Sequence, residues 1–425
     1  MIRPYPWGTR TVIAELQGRP VPAPGPEAEL WMGAHPSAPS ALHRPPPTSA
    51  TSTPSASPAV STTPVTLDAV IAGDPERELG AECAARFGGR LPFLLKVLSA
   101  EKALSIQVHP SRAQAEAGYA AENARGLAAD DPARNYVDDW PKPELLYALT
   151  PFEVAAGLRT PADASALLRA LRVDELEPLA AALADAIGED ALGAALACVL
   201  QWPEPRPLVA SVVAACQRLA ASDSPFAAAC AAAVRVAAGH PGDVGVVALL
   251  LMRHEVLQPG QAVFMPAGGL HAYLHGTGIE LLANSDNVVR SGLTGKHIDV
   301  PELLRLLDPA VAVPMLSPRL LADGFATFDT PAPEFRLYLI DLPAPASATA
   351  PASASASPAP VLALPGTGPS ILLCLDGTCT LRAASGQELD LARGDSCFIP
   401  FADGPLHATG PARLVQATSG LPTQG

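Results

Sequence analysis

Short apolar segments separated by Gly, Pro and Asp turns dominate both ends of the chain and predict β-strands. The clearest segments cover residues 91–110, 255–289 and 369–405. Near the end of the first, Ser105, Gln107 and His109 alternate with apolar residues, so their side chains share one face of a strand. Three polar groups on such a face must be satisfied by solvent, by a hydrogen-bond network or by a ligand such as a metal ion.

The pattern changes between about residues 160 and 240, where alanine-rich segments follow the period of amphipathic helices. Thr160 is a candidate N-cap, and Pro161 fits the first helical position. We expect a helical domain of four or so helices, with no charged site residues on its apolar faces.

Two β segments share one sequence pattern. LQPGQAVFMPAG (257–268) and LARGDSCFIPFADG (391–404) are each a turn, a short apolar strand and a Pro-initiated loop, followed by His271 or His407. This internal repeat predicts two copies of one jelly-roll β unit, with the helical segment inserted into the first. Because His407 has no companion ligands, we expect the second copy to be metal-free.

Composition narrows the class of protein. The net charge of −14 argues against nucleic acid or an anionic membrane as a partner. Seven scattered cysteines without a CxxC pair favour free thiols in a reducing compartment over a disulfide framework or a zinc knuckle. The N-terminus has no apolar signal region, and no membrane span is predicted. We therefore expect a cytoplasmic protein whose partner is a small molecule, and we expect it to be a monomer.

Six motifs occur in the order found in one known family. They are ELWMGAHPSAPS, LPFLLKVLSAEKALSIQVHP, KPELLYALTPFEV, GDVGVVALLL, PAGGLHAYL and NSDNVVRSGLTGKHIDVPELL. In these motifs, residues 1 to about 305 resemble type I mannose-6-phosphate isomerase. The C-terminal part resembles the family only in its general cupin-like pattern of strands and turns. The resemblance implies a zinc-dependent aldose–ketose isomerase that interconverts mannose 6-phosphate and fructose 6-phosphate through an enediol, in carbohydrate metabolism that supplies activated mannose or degrades mannose.

The resemblance and the patterning together predict a mainly β fold with a helical insertion, built from two cupin-type jelly-roll β domains and an α-helical domain. Two Pro/Ala/Ser/Thr-rich stretches, 44–64 and 343–360, are expected to be mobile linkers or surface loops. The predicted domains are a catalytic cupin domain (1–157 and 241–325), a helical domain (158–240) and a C-terminal cupin-like domain (326–425).

The resemblance implies one zinc ion per chain, with four ligands. These ligands are Gln107, His109, Glu144 and His271. Two ligands two residues apart on one strand face can reach one ion, and a neutral Gln oxygen is a weak ligand that leaves zinc strongly Lewis acidic. Spacing alone does not make the four residues converge, because Gln107 and His109 could equally hydrogen-bond within a polar barrel interior.

The remaining site residues also follow from the resemblance. The catalytic candidates are Arg290, Lys142 and Glu280, and the substrate-binding candidates are Lys96, Ser105, Lys296, Tyr273 and Trp7. Arg290 is expected to stabilise negative charge, while Lys142 and Glu280 both remain candidates for the carbon-bound proton. Lys96 lies within an apolar strand, where either the substrate phosphate or a buried salt bridge must satisfy its ammonium.

One motif departs from the family pattern. Family members often have N-H-K-P-E where this chain has W-P-K-P-E at residues 140–144. Pro141 replaces the histidine, so no essential proton shuttle can be assigned to that position here.

Other functions are compatible with a cupin fold. A non-catalytic sugar-phosphate-binding cupin is the main alternative, but it predicts degraded ligand or proton-transfer positions. An iron-dependent cupin oxygenase would carry a ligand set without Gln and no phosphate-side lysines. A bifunctional nucleotidyltransferase would need a Gly-rich nucleotide-binding stretch before the β units, and the sequence has none.

Overall fold

The computed structural model describes residues 1–43, 65–186, 188, 190–322, 324–344 and 360–422. The predicted loop 44–64 and residues 345–359 of the second predicted loop lie outside these ranges. Strands dominate both ends of the described chain and helices dominate its middle, which confirms the predicted fold class.

The elements are numbered in chain order. The first strands are β1 (Ile2–Arg3), β2 (Glu29–Gly33), β3 (Ala41–Leu42), β4 (Val65–Thr66), β5 (Phe93–Ala100), β6 (Ile106–Val108), β7 (Glu144–Ala148), β8 (Phe152–Leu158), β9 (Met252–Leu257), β10 (Ala262–Met265), β11 (His271–Ala283), β12 (Val289–Gly292) and β13 (Met315–Leu316). The later strands are β14 (Arg319–Ala322), β15 (Phe325–Thr327), β16 (Arg336–Leu342), β17 (Leu362–Ala363), β18 (Ser370–Ala383), β19 (Glu388–Ala392), β20 (Ser396–Ile399), β21 (Leu406–Thr409) and β22 (Ala412–Thr418). The α-helices are α1 (Val12–Leu16), α2 (Leu67–Gly73), α3 (Pro75–Leu79), α4 (Ala81–Arg86), α5 (Arg112–Ala124), α6 (Pro161–Leu171), α7 (Glu177–Ala184), α8 (Asp190–Leu200), α9 (Pro205–Ala220), α10 (Ala227–Gly239), α11 (Gly245–Ala248) and α12 (Val300–Leu306).

The first β unit is an antiparallel sheet in the order β1-β2-β5-β11-β7-β10-β13, to which β12, β6, β8 and β9 add a second wall. The long strand β11 belongs to both walls, because its start pairs with β6 and β8 and its end pairs with β5 and β7. A strand that passes from one wall to the other curls the sheet around an interior, as in a jelly roll.

The second β unit repeats this construction in the order β14-β15-β16-β22-β18-β21-β17. Its long strand β18 pairs first with β20 and β22 and later with β19 and β21. Both curled sheets therefore fit the two predicted cupin-type units.

The two β units pack against each other through the outer faces of their sheets. Strand β5 is buried along its whole length because both of its faces are covered. Leu95 and Val97 belong to a core shared with Ile371 and Val415 of the second unit. Lys96, on the opposite face, is left inside the first unit, so the second unit serves as a rigid backing for the strand that carries this lysine.

The helices α6 to α10 lie between β8 and β9 and cover the other wall of the first unit. Thr160 caps α6 as predicted, since its Oγ1 accepts a hydrogen bond from Asp163 N–H at 3.2 Å, with Pro161 at the first helical position. Ile106 and Val108 of β6 share a core with helical residues such as Leu167. Among the described residues, no helix has both the length and the apolar character needed to cross a membrane.

Candidate metal centre and active site

Three strands of the first unit bring the predicted ligands together. His271 opens β11 directly opposite Gln107 of β6, and Glu144 opens β7. His109 follows β6, one residue beyond its end. The Glu144 carboxylate lies between the imidazoles, with Oε1 3.2 Å from Nε2 of His109 and Oε2 3.4 Å from Nε2 of His271. The Gln107 amide lies 3.4 Å from the same His271 Nε2.

Both histidines are oriented by main-chain carbonyl groups behind them. His109 Nδ1 lies 2.8 Å from the Asn287 oxygen, and His271 Nδ1 lies 3.0 Å from the Gly269 oxygen. A carbonyl oxygen only accepts, so each Nδ1 carries the proton. Each Nε2 is then an acceptor, and it converges with the acceptor oxygens of the Glu144 carboxylate, to which it cannot donate. His109 Nε2 is buried and makes no hydrogen bond of acceptable geometry.

The electrostatics of this cluster fit a divalent cation. Burial lowers the pKa of His109 to about 4, so its imidazole is neutral, as a metal ligand must be. Burial alone would raise the pKa of Glu144, but the ammonium of Lys142 beside it holds that pKa well below its usual range. Ligand atoms of His109, Glu144 and His271 all lie within 4.8 Å of one another. Two imidazoles and a carboxylate, with an amide beside them, are a donor set suited to zinc.

Lys142 lies beside the ligand carboxylate, between two prolines that stiffen the chain. Its Nζ is 3.1 Å from Glu144 Oε1, and its side chain is 9% exposed. Residues 141–143 read Pro-Lys-Pro, so the backbone is fixed on both sides of the lysine. The preceding Trp140 is held under the Arg90 guanidinium, 4.2 Å from the centre of its ring.

Lys96 is engaged in a buried ion pair, one of the two alternatives that the sequence left open. Its Nζ donates to Glu280 Oε2 at 2.8 Å and lies 3.8 Å from Glu29 Oε1. The Trp31 indole N–H donates to the other oxygen of Glu29 at 2.7 Å. Burial would lower the pKa of Lys96, but the two carboxylates raise it above its usual value. Burial also raises the pKa of Glu280, against the opposing charge of Lys96.

The two predicted aromatic residues differ in exposure. Tyr273 is only 1% exposed, and its hydroxyl donates to Glu144 Oε2 at 3.4 Å, so it supports the site from inside the core. Trp7 is half-buried and stacks on Tyr5 with ring centres 5.7 Å apart.

The remaining predicted residues lie on the strand pair β6–β12 and the loop after it. Arg290 is paired with Gln107, so it shares the ligand face of the sheet. Lys296 is exposed, but partial loss of solvent around its ammonium and the nearby charge of Arg290 lower its pKa. Ser105 is half-buried immediately before β6.

Sequence reasoning missed several charged and polar residues of the site. Glu29 holds Lys96 from a second strand, and Asp286 lies 3.4 Å from Nε2 of His35. Burial would raise the pKa of Asp286, but His35 lowers it to about 2. Asn287 was also missed. A weak signal existed, since all three lie in the motifs ELWMGAHPSAPS and NSDNVVRSGL, at positions that no predicted role explained.

Comparison with known proteins agrees with this geometry. Residues 1–161 match the family described as phosphomannose isomerase type I, catalytic domain. Mannose-6-phosphate isomerase of Salmonella typhimurium is 34% identical over 99% of this chain and 98% of its own length. The Bos taurus protein of the same name is 32% identical, over 94% of this chain and 92% of its own length.

Solved structures agree as well. A variant of phosphomannose isomerase from Salmonella typhimurium superposes with a TM-score of 0.83 at 31% identity, covering 99% of this chain and 98% of the other. A zinc-bound mannose 6-phosphate isomerase superposes with a TM-score of 0.81 at 32% identity, with the same coverage. Sequence and fold agree over nearly the whole length, and the chain belongs to the type I phosphomannose isomerase family.

Proposed function

We propose that this protein interconverts mannose 6-phosphate and fructose 6-phosphate, with one zinc ion held by Gln107, His109, Glu144 and His271. The observation that carries the proposal is the buried His109–Glu144–His271 cluster, in which both Nε2 atoms face one carboxylate beside Lys142. A non-catalytic sugar-phosphate-binding cupin is disfavoured, because the candidate proton-transfer residues are retained and packed around the ligand cluster.

The isomerisation requires a proton to move between adjacent carbons and another to move between their oxygens. When bound, zinc supplies Lewis acidity that polarises the sugar oxygens. Glu280 is assigned to the carbon-bound proton, since burial raises its pKa and makes it a stronger base than an exposed carboxylate. Lys142, with its ammonium at the edge of the ligand cluster, is assigned to the proton on the sugar oxygens.

The negative charges of the substrate are assigned to two cationic residues, Arg290 and Lys296. Arg290 shares the ligand face of the sheet and stabilises negative charge that develops on the sugar oxygens. Lys296 is exposed and close enough to Arg290 for the two charges to interact. We assign Lys296 and Ser105 to binding of the substrate phosphate. Lys96 already has two carboxylate partners, so its assigned role is to hold Glu280 in place.

The setting of the reaction is part of the proposal. One chain supplies every proposed site residue, which supports a monomer as the active form. A net charge of −14 disfavours nucleic-acid and membrane partners. All seven cysteines are described and free, which supports a reducing compartment such as the cytoplasm.

The test measures turnover of mannose 6-phosphate in a coupled assay. Turnover is measured before and after metal removal with a chelator, and again after zinc is restored. We expect activity to be lost on chelation and to return with zinc. His109→Ala should lose zinc and activity together, whereas Arg290→Ala should lose activity and keep its zinc. Absence of turnover by the zinc-loaded protein would overturn the isomerase proposal, and full turnover by metal-free protein would overturn the zinc mechanism.

A further inference from the structure

Asn287 connects two parts of the site through different groups of one residue. It lies in the segment between β11 and β12 and is fully buried. Its main-chain oxygen contacts a predicted zinc ligand, and its side chain contacts the segment that leads into Lys142.

The side-chain amide of Asn287 makes five hydrogen bonds to residues 137–140. Its Oδ1 accepts from the main-chain N–H groups of Val137 at 2.8 Å and Asp138 at 3.2 Å. Its Nδ2 donates to the main-chain oxygens of Asp138 and Trp140, both at 2.8 Å, and to Asp138 Oδ1 at 3.2 Å. Because Trp140 is followed by a proline on each side of Lys142, fixing its carbonyl fixes the path of the chain to Lys142.

The main-chain oxygen of Asn287 acts on the metal centre. It accepts the hydrogen bond from His109 Nδ1 at 2.8 Å. This contact sets the tautomer and ring orientation that leave Nε2 facing Glu144. Movement of the Asn287 backbone would therefore turn the imidazole away from the ligand cluster.

The neighbours of Asn287 make the connection stiff. Ser285 Oγ donates to Asp138 Oδ1 at 2.8 Å and lies 3.2 Å from the Trp140 oxygen. Asp286 N–H donates to Asp138 Oδ2 at 2.9 Å, and Asn287 N–H donates back to Ser285 Oγ at 3.2 Å. Residues 285–287 and 137–140 are thus bonded into one unit around the buried Asn287, in which neither segment can shift alone.

We propose that Asn287 is a positioning residue that couples the orientation of His109 to the placement of Lys142. The inference deepens the proposed function, since it concerns the same zinc site and the same proton-transfer lysine. Residues behind a metal ligand typically change metal affinity or activity by about 10- to 100-fold when they are removed. Because Asn287 supports both elements, its loss should affect zinc affinity and, separately, the rate of the zinc-saturated enzyme.

The experiment compares Asn287→Ala with Asn284→Ala in the full-length protein. Asn284 lies three residues earlier, and its amide donates to the Leu91 oxygen instead, which makes it a matched control. Zinc affinity is measured by competition with a chromophoric chelator, and kcat and KM are measured at saturating zinc. For Asn287→Ala we expect about 10- to 100-fold weaker zinc binding and about 10- to 100-fold lower kcat, with KM changed less than about 3-fold. Asn284→Ala should match the wild type in all three measurements.

Wild-type zinc affinity or wild-type kcat in folded Asn287→Ala would overturn the coupling. If that variant does not fold, Asp138→Asn weakens the same unit from the other segment, and it should lower both quantities by about 3- to 10-fold. Wild-type values for both quantities in Asp138→Asn would then overturn the proposal. Failure of the wild-type protein to turn over mannose 6-phosphate would count against the proposed function, while the zinc affinities would still decide the role of Asn287.

Discussion

The two β units are both curled antiparallel sheets, but they present different side chains at the matching place. In the first unit, a Pro-initiated loop leads into β11, and its first residue, His271, is fully buried beside the ligand cluster. In the second unit, the same kind of loop leads into β21, where His407 is exposed between buried Leu406 and Ala408. The repeated sequence pattern therefore preserves the backbone but not the face to which the histidine points.

The strand registers show what else the second unit lacks. In the first unit, Met265 ends β10 opposite Glu144. In the second, Ile399 ends β20 opposite Ser370, so the position that matches the ligand carboxylate holds a hydroxyl. His407 itself lies opposite Ala363 and Arg382 rather than a glutamine. Among the described residues, the only cluster of metal-ligating side chains is the one in the first unit. A cupin-type unit therefore acquires a metal site from a few inward-facing residues, whereas the fold alone supplies none.

The largest expected effect comes from replacing the matching histidines of the two units, one at a time, by alanine. His271→Ala should remove one ligand and lower kcat/KM by about 1,000-fold or more, with zinc content falling in parallel. His407→Ala changes an exposed side chain and should leave both quantities within about 2-fold of the wild type. The measurements are zinc per chain by elemental analysis and mannose 6-phosphate turnover. A zinc loss in His407→Ala comparable to that in His271→Ala would mean that the second unit also holds metal.

The sequence predicted the parts of this comparison that depend on local pattern. Period-two alternation placed Gln107 and His109 on one face of a strand, and the repeated segment predicted a second β unit. The contacts of Asn287 and Glu29 could not be predicted, because they join segments more than 60 residues apart whose register is set only by packing. Lys96 was predictable only in part. Its position in an apolar strand predicted that the ammonium has a partner, but the sequence did not show that this partner is Glu280 rather than the substrate phosphate.

A smaller effect should appear where the first unit joins the helices. Glu153 of β8 lies 2.6 Å from Nε2 of His254 and 2.5 Å from Nη2 of Arg235 on α10. Burial alone would raise the pKa of Glu153, but hydrogen bonds from His254 and Arg235 lower it to about 2. A carboxyl whose pKa is lower in the folded state stabilises the fold above its unfolded pKa of about 4.3, and the contribution is lost as the pH falls towards 2.

Glu153→Gln should therefore lower the melting temperature at pH 7 by a few degrees, equivalent to about 1–3 kcal/mol. The difference from the wild type should shrink as the pH falls from about 4.3 towards 2. Glu388→Gln in the second unit is the matched control, because its partner Arg382 forms an exposed pair that should contribute little. Equal effects of the two substitutions at pH 7, or a Glu153→Gln effect that does not change with pH, would contradict this account.

The smallest effect is expected from removing the first low-complexity segment, and the strand pairing explains why. Ala41 and Leu42 of β3 pair with Thr66 and Val65 of β4, so the chain enters and leaves the segment at adjacent positions of an antiparallel pair. An Asn-Gly turn in place of residues 43–64 can close this pair as a two-residue hairpin. Zinc content and kcat/KM should then stay within about 2-fold of the wild type, because the closing pair keeps its register. The second segment offers no such closure, since β16 pairs with β15 and β22 whereas β17 pairs with β21, so a shortened connection there must still span two separate strands. A loss of more than about 10-fold on removing residues 43–64 would show that the first segment takes part in catalysis, because the hairpin closure leaves no strain to explain it.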